Sequence, residues 1–249
     1  MGNYRLELTD AFDYVQTIAE GSIDAFISDL PYGTTQLTWD VVPDLERLWR
    51  EVYRVCKPSA VQVMFSAQPF STDLINSNRK RFRYPLVWAK TMPTGFLDAN
   101  RKPLRCHEDI LIFAETGRTT YNPQMTKGVA KGYINRRSSA NHYNSVEATW
   151  TVNNGERYPV SVLDFGLDPR TGGQHPTQKP LELLCYLVKT YTNPGDTVLD
   201  LFAGSGTTLA ACLHTGRKAI GCEIDPQYHS VALRRLEAIE AQQSLFTLT

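Results

Sequence analysis

Two regions of the chain alternate short apolar runs with longer amphipathic segments, one from residue 4 to about 114 and one from about 176 to 243. Short apolar runs between polar, Gly or Pro residues predict buried strands, and apolar residues recurring every three or four positions predict helices. The predicted strands cover residues 4–8, 23–28, 61–67, 82–90, 108–114, 197–203 and 218–224. The predicted helices cover residues 11–18, 43–58, 69–78, 179–192, 207–216 and 226–243.

Between these regions, from Gly117 to about Gly173, the periodicity disappears and the segment is rich in Asn, Gly, Ser, Arg and Tyr. An irregular stretch of this length in a compact domain is usually functional, or else it conceals an element. Alternating strands and helices on both sides of it predict an α/β fold with one doubly wound, mostly parallel sheet. We therefore expect residues 1–116 and 174–249 to form one domain, with residues 117–173 as an irregular insertion.

Composition changes this picture mainly through the distribution of charge. The formal net charge is zero, yet residues 76–137 carry thirteen Lys and Arg against four Asp and Glu, which is typical of either a phosphate-facing surface or a solvated face. The five cysteines are scattered without a C-x-x-C pair, so we predict free thiols and no metal site. Because no long apolar run or signal peptide is evident, we expect a cytoplasmic protein without a membrane segment.

Ligands of a doubly wound sheet bind beyond the carboxyl ends of its strands, so the residues that follow each strand are candidates for a site. Asp29 follows an apolar strand and is itself followed by Leu30, Pro31 and Tyr32. A carboxylate, a stiff turn and an aromatic ring therefore lie within four residues. Taken alone, this stretch fits an ordinary turn better than it fits a site.

A glycine turn follows a second strand. Gly204 and Gly206 allow the backbone to approach a ligand closely, and the helix that opens at Thr207 presents free N–H groups to a negative charge. Leu209 stands where the dinucleotide fingerprint requires a third glycine, which argues against a nicotinamide cofactor. About twenty residues further on, Glu223 ends a third strand, where an acidic side chain can accept hydrogen bonds from both hydroxyls of a ribose.

Four other candidate residues have simpler explanations. Asp10 and Asp225 each precede a predicted helix, and both fit helix N-caps. His107 and His175 are isolated histidines, which are more often structural than catalytic, and we assign them no proton transfer.

Four segments, in one order along the chain, resemble DNA amino-methyltransferases. "SIDAFISDLPYGTT" is similar to the D-P-P-Y segment of that family, with Leu30 replacing the first proline, and "LDLFAGSGTT" is similar to its S-adenosylmethionine loop. "RKPLRCHEDILIF" and "HPTQKPLELLCYLVKTYTNPGDTVLD" resemble the strand region after the catalytic half and the segment that precedes that loop. The order is that of the circularly permuted beta class, and the resemblance covers residues 4 to 115 and 175 to 240.

The resemblance implies a seven-stranded, Rossmann-like methyltransferase sheet. Residues 1–116 would be its catalytic half, residues 174–249 its cofactor-binding half, and residues 117–173 a target-recognition insertion. It implies methyl transfer from S-adenosylmethionine to the exocyclic amino group of a base flipped out of DNA. Asp29 and the carbonyl of Leu30, fixed by Pro31, would accept hydrogen bonds from that amino group, and Tyr32 would stack on the base.

An aspartate in the first motif position favours N6 of adenine; the alternatives are N4 of cytosine, or a non-catalytic regulator that binds DNA. The residues that the resemblance implies for the cofactor are Asp10, Asp29, Lys179, Asp200, Phe202, Gly204, Ser205, Gly206, Thr207, Glu223 and Ile224. Lys179 would pair with the cofactor carboxylate; the alternative is a helix start that Thr177 caps. The residues expected to bind DNA are Arg79, Lys80, Arg81, Arg136, Arg137 and Asn141. Double-stranded DNA is the expected partner, and family habit adds a homodimer and a cognate restriction endonuclease.

Overall fold

The computed structural model describes residues 3–33, 40–128, 131–134, 150–166 and 178–247. The chain forms two compact units, of which the first contains residues 1–122 and 161–249 and the second residues 123–160. In the second unit, Thr126–Lys127 pairs antiparallel with Glu156–Arg157, and Lys131–Ile134 pairs antiparallel with Trp150–Asn153.

The described strands are β1 Tyr4–Leu8, β2 Ile23–Asp29, β3 Cys56–Ser66, β4 Phe82–Thr94, β5 Arg105–Ala114, β6 Thr126–Lys127, β7 Lys131–Ile134, β8 Trp150–Asn153, β9 Glu156–Arg157, β10 Val162–Asp164, β11 Thr197–Asp200 and β12 Lys218–Glu223. The described helices are α1 Ala11–Gln16, α2 Leu45–Val55, α3 Phe70–Ser77, α4 Leu181–Tyr191, α5 Thr207–His214 and α6 Pro226–Thr247. Each strand and helix predicted from the periodic pattern has a counterpart, with ends that differ by a few residues.

The sheet of the first unit has eight described strands in the order β1-β12-β11-β2-β3-β5-β4-β10. The predicted count of seven is wrong by one edge strand, because β10 pairs with β4, Leu163 opposite Trp88. This strand arises from the segment predicted to be an irregular insertion. Its three residues are too few to show the alternation by which a strand is recognised.

Helices cover both faces of this sheet. Leu187 of α4 and Leu209 of α5 belong to the apolar core on one face, whereas Val52 of α2 and Leu74 of α3 belong to the core on the other. β2 lies in the middle and is buried on both faces, as its continuous apolar run predicts for a central parallel strand.

Strand direction determines which residues share an edge of the sheet. Among the described strands of this sheet, β5 alone runs opposite to the others. The ends of β2, β11 and β12 therefore lie along one edge, which we call the carboxyl edge. The sheet brings Asp29, Asp200 and Glu223 to this edge, as the sequence predicts.

In the part of the chain that the structure describes, no helix is both long and apolar enough to span a membrane.

Candidate active site

Asp29, the last residue of β2, has both of its carboxylate oxygens engaged. Oδ1 accepts a hydrogen bond of 2.7 Å from the hydroxyl of Tyr32, and Oδ2 accepts one from Nζ of Lys179. The Tyr32 ring stacks on Phe70, with 5.5 Å between the ring centroids. The structure therefore brings the carboxylate and the aromatic ring of this turn together, with the carboxylate 30 % exposed.

The burial of Leu30 explains why a leucine is accommodated in this turn. Its side chain is 2 % exposed and belongs to the apolar core on the face covered by α1 to α3. The residue before a proline is restricted to extended conformations, so Pro31 also limits the orientation of the Leu30 carbonyl. The side chain of Leu30 serves the core, and only its backbone is left to face a ligand.

Lys179 lies between two carboxylates. Its Nζ contacts Asp29 and is 3.3 Å from Oε2 of Glu108, whose other oxygen contacts Nζ of Lys90. Burial acts to lower the pKa of Lys179, but Asp29 and Glu108 outweigh it and hold this pKa above its ordinary value. Burial likewise acts to raise the pKa of Glu108, yet Lys179 and Lys90 keep it below its ordinary value. Lys179 and Glu108 are therefore both charged at neutral pH.

Sequence reasoning missed Lys90 and Glu108. They lie on the adjacent antiparallel strands β4 and β5, where Glu108 is opposite Trp88, two residues before Lys90. No local sequence motif indicates that Lys90 and Glu108 pair. The cofactor carboxylate is the partner that the resemblance implies for Lys179; in the structure its ammonium group contacts the carboxylates of Asp29 and Glu108.

Glu223 organises the glycine turn. Its Oε2 accepts a hydrogen bond of 2.7 Å from the N–H of Gly204, and its Oε1 accepts one of 2.8 Å from the N–H of Asp225. Burial raises the pKa of Glu223 above its ordinary value, against the effect of these N–H donors. A carboxylate has about four lone-pair sites, so it can accept further hydrogen bonds from a ligand.

Asp200, at the end of β11, stabilises the start of the glycine turn. It is 2 % exposed, and its Oδ1 accepts hydrogen bonds from the hydroxyl of Ser28 at 2.6 Å and from the N–H of Phe202 at 3.1 Å. Burial raises the pKa of Asp200 to about 6. In this structure Asp200 thus shapes the backbone that would face a ligand and ties β11 to β2.

The turn leaves room for a ligand above Gly204. A Cβ atom built on Gly204 would meet nothing within 4 Å. Beside Glu223, Ile224 is 59 % exposed, and Leu8 on the neighbouring strand is 50 % exposed. These features fit S-adenosylmethionine. The lone pairs of Glu223 can accept hydrogen bonds from the ribose hydroxyls, and the exposed apolar side chains can contact the adenine ring.

Three further predicted cofactor residues, Ser205, Thr207 and Asp10, have supporting positions. Ser205 and Thr207 are 5 % and 7 % exposed, and Thr207 Oγ1 accepts a hydrogen bond from Arg235, so their backbone N–H groups rather than their hydroxyls are left to face a ligand. Asp10 accepts hydrogen bonds from the backbone of α1, and Asp225 from that of α6, as predicted for N-caps.

Gly206 is required by packing as well as by its backbone conformation. Its φ is +74°, and a Cβ atom there would lie 2.8 Å from Cβ of Ala232 on α6. We expect Gly206→Ala to lower the free energy of unfolding by about 2–4 kcal/mol, because overpacking adds to left-handed strain. Gly216 is the matched control, since its φ is +73° and nothing lies within 4 Å of its Cβ position.

Chemical denaturation of both variants measures this difference. In Gly216→Ala the free energy of unfolding should fall by about 1–2 kcal/mol, the cost of the left-handed backbone conformation alone. Equal losses in the two variants would contradict the packing role of Gly206.

The basic residues divide between two edges of the sheet. Arg79, Lys80 and Arg81 precede β4 and lie at the edge opposite Asp29, and Arg81 contacts Glu115 at 2.7 Å. The structure therefore does not bring this run to the carboxyl edge, because β4 runs parallel to β3 and starts at the other end. The predicted residues Arg136, Arg137 and Asn141 lie outside the described residues.

A different basic segment reaches the carboxyl edge. The β4–β5 hairpin, residues 95–104, joins the ends of β4 and β5 that lie on the side of Asp29. β5 passes the level of Asp29 at Ile110 and continues five residues to Arg105, roughly 17 Å further at about 3.3 Å per residue. The hairpin thus presents Arg101 and Lys102, both exposed and both within 4 Å of Asp98, beyond the Asp29 turn.

Curated relatives of the chain are DNA methyltransferases. The type II methyltransferase M.HpaI of Haemophilus parainfluenzae is 29 % identical over 247 residues, which span 94 % of this chain and 74 % of that protein. The DNA adenine methyltransferase YhdJ of Escherichia coli K12 is 46 % identical over 90 residues, which span 34 % of this chain and 30 % of that protein.

Solved structures share the fold. The PvuII DNA methyltransferase, described as cytosine-N4-specific, superposes with a TM-score of 0.71 at 15 % identity, covering 94 % of this chain and 86 % of that one. TTHA0409 of Thermus thermophilus, described as a putative DNA modification methylase and complexed with S-adenosyl-L-methionine, superposes with a TM-score of 0.63 at 23 % identity, covering 95 % and 94 %.

The N6_N4_Mtase family model, described as DNA methylase, matches residues 23–234. This match includes the Asp29 turn, the Lys90–Glu108–Lys179 contacts and the glycine turn with Glu223. The chain therefore belongs to the N6_N4_Mtase family of DNA methylases.

Proposed function

We propose that the chain transfers a methyl group from S-adenosylmethionine to the exocyclic N6 amino group of an adenine flipped out of double-stranded DNA. One observation carries this proposal: a partly exposed carboxylate, Asp29, lies beside the Tyr32 ring at the carboxyl edge that also holds the Glu223 turn. The family match and the relatives that act on DNA support it.

When bound, S-adenosylmethionine supplies an electrophilic methyl group. The protein has to make an aromatic amine nucleophilic, because the lone pair of that nitrogen is delocalised into the ring. Asp29 and the Leu30 carbonyl accept hydrogen bonds from the amino group and stabilise the positive charge that develops on its nitrogen. Glu223 and the N–H groups of the turn hold the cofactor in place, and Tyr32 holds the base by stacking.

Adenine rather than cytosine is the proposed target. The first position of the D-L-P-Y turn is an aspartate, and the resemblance associates aspartate there with adenine and serine with cytosine. YhdJ, which is 46 % identical over 90 residues, is described as an adenine methyltransferase. Transfer to N4 of cytosine is the second candidate, because PvuII methyltransferase has the same fold and that specificity.

We also propose that the chain is of the permuted beta class. The catalytic turn after β2 precedes the glycine turn after β11 in sequence, and β1 pairs with β12 at the edge of the sheet. Residues 117–173 are proposed to recognise the target sequence. A homodimer and a cognate restriction endonuclease remain proposals from the same resemblance.

We expect the β4–β5 hairpin to bind DNA phosphates. Replacing Arg101 and Lys102 together by Gln should weaken DNA binding about tenfold. The negative slope of log K against log salt should become shallower by about two, because two phosphate contacts are lost. The matched control replaces Arg79 and Lys80 by Gln, a pair that is equally charged and also exposed, at the opposite edge. Fluorescence anisotropy with labelled DNA across a salt series measures the affinity of both double variants. An equal loss of affinity in the control would contradict DNA binding at the β4–β5 hairpin.

The direct test uses labelled cofactor and nucleoside analysis. Unmethylated bacterial DNA is incubated with the protein and S-adenosylmethionine labelled in the methyl group, then digested to nucleosides. We expect labelled N6-methyldeoxyadenosine. Label found only in N4-methyldeoxycytidine would overturn the choice of base, and absence of label from all nucleosides would overturn the proposed function. Long-read sequencing of the same DNA identifies the recognition sequence.

A further inference from the structure

Four charged side chains of alternating sign form a continuous series behind the catalytic turn. In order, they are Lys90, Glu108, Lys179 and Asp29. The first three are 11 %, 13 % and 8 % exposed, whereas Asp29 is 30 % exposed. The series therefore begins inside the protein and ends on the residue that is proposed to face the target base.

Burying charges is costly unless each of them is paired, so such an arrangement is weak evidence for a contribution to stability. Its geometry is more informative. Lys90 takes one oxygen of Glu108 and Lys179 lies near the other, which fixes the orientation of the Glu108 carboxylate. Glu108 in turn holds the ammonium group of Lys179 against Oδ2 of Asp29.

Aromatic rings further restrict the ammonium group of Lys179. Its Nζ lies 5.2 Å from the centroid of the Phe65 ring and 5.8 Å from that of the Tyr32 ring. Phe65 is opposite Asp29 on the neighbouring strand and is 1 % exposed, so this side of the ammonium group is closed by the core. The lysine therefore has little freedom to turn from Asp29 toward another anion.

We infer that Lys179 is a positioning residue for Asp29, held in place by Glu108 and Lys90, rather than a ligand of the cofactor carboxylate. This inference rests on the proposed function. Lys179 fixes Oδ2, so that Oδ1 points to the position where the exocyclic amino group must lie. In the structure the hydroxyl of Tyr32 donates to Oδ1. The amino group of the target base replaces that hydroxyl as donor.

The test is Lys179→Met, measured for kcat at saturating DNA, for the dissociation constant of S-adenosylmethionine and for thermal stability. We expect kcat to fall between about tenfold and 100-fold, because an error of about 1 Å in the position of a catalytic group has that effect. The dissociation constant of S-adenosylmethionine should stay within about twofold of wild type, a change below about 0.5 kcal/mol. Lys179→Arg should restore part of kcat.

Two further variants separate positioning from a general structural role. Lys179→Met leaves Asp29 and Glu108 as neighbouring carboxylates without the cation between them, so adding Glu108→Gln should raise kcat above that of the single variant. Lys57 is the matched control, because it pairs with Asp24 at 2.5 Å near the other end of β2. Lys57→Met should leave kcat unchanged.

The outcomes are distinct. Wild-type kcat in folded Lys179→Met, or in the folded double variant, would overturn the inference while leaving the proposed function intact. A normal kcat with a raised dissociation constant for S-adenosylmethionine would assign Lys179 to the cofactor instead. Should Lys179→Met not fold, the double variant and Lys179→Arg supply the same comparison. Absence of methylation by the wild-type chain would overturn the proposed function itself.

Discussion

Asp29→Ala should lower kcat for DNA methylation by about 100- to 1,000-fold, since removing one preorganised group that stabilises charge in a transition state has an effect of that size. The substitution removes the acceptor for the amino group and leaves the ammonium group of Lys179 with Glu108 as its remaining carboxylate contact. Single-turnover transfer of labelled methyl groups to DNA measures the loss of kcat.

Asp29→Asn and Asp24→Asn are the companion variants for this prediction. The side-chain amide introduced by Asp29→Asn keeps one acceptor oxygen but no negative charge, so kcat should fall less than in Asp29→Ala. Asp24 lies on the same strand near the other edge, where it pairs with Lys57, and its replacement should leave kcat near the wild-type value. Full turnover by folded Asp29→Ala would show that the proposed mechanism is wrong.

Glu223→Ala should weaken binding of S-adenosylmethionine by about 100-fold or more, because each hydrogen bond to a charged group contributes about 1.5–3 kcal/mol. The variant removes the acceptor proposed for the ribose hydroxyls, and it also leaves the N–H groups of Gly204 and Asp225 without this partner. Isothermal titration calorimetry with S-adenosylmethionine in the absence of DNA measures the dissociation constant directly.

Asp225→Ala is the control for Glu223. Its side chain caps α6 by accepting hydrogen bonds from the N–H groups of Gln227 and Tyr228, at 2.8 and 3.2 Å. Losing such a cap should cost about 1 kcal/mol of stability while leaving the dissociation constant of S-adenosylmethionine unchanged. Unchanged binding by folded Glu223→Ala would remove Glu223 from the cofactor site.

The elements of the fold could be predicted from the sequence because their signals are local. The apolar run of β2, the three- and four-residue spacing of α2 and the Asp225-Pro226 start of α6 each depend on neighbouring residues. For the same reason Asp29 and Glu223 could be recognised as strand-end residues. The parallel order of the sheet then brings their strand ends to one edge.

The contacts of Lys179 could not be predicted, since they join residues far apart in sequence. Asp29 is 150 positions from Lys179, and Glu108 lies near them because β5 pairs with β3 and β4. The resemblance implies the cofactor carboxylate as the partner of Lys179. The structure gives it two carboxylate contacts that only the packed sheet could bring together.

By itself, the sequence determined the strands and helices outside residues 117–173 and placed Asp29 and Glu223 at strand ends, because periodicity and turn chemistry act over a few residues. Only the tertiary structure decided the eighth strand, the placement of Arg79 at one edge and Arg101 at the other, and the series of charges behind Asp29. These depend on the direction and pairing of strands, which long-range packing sets and which no local pattern encodes.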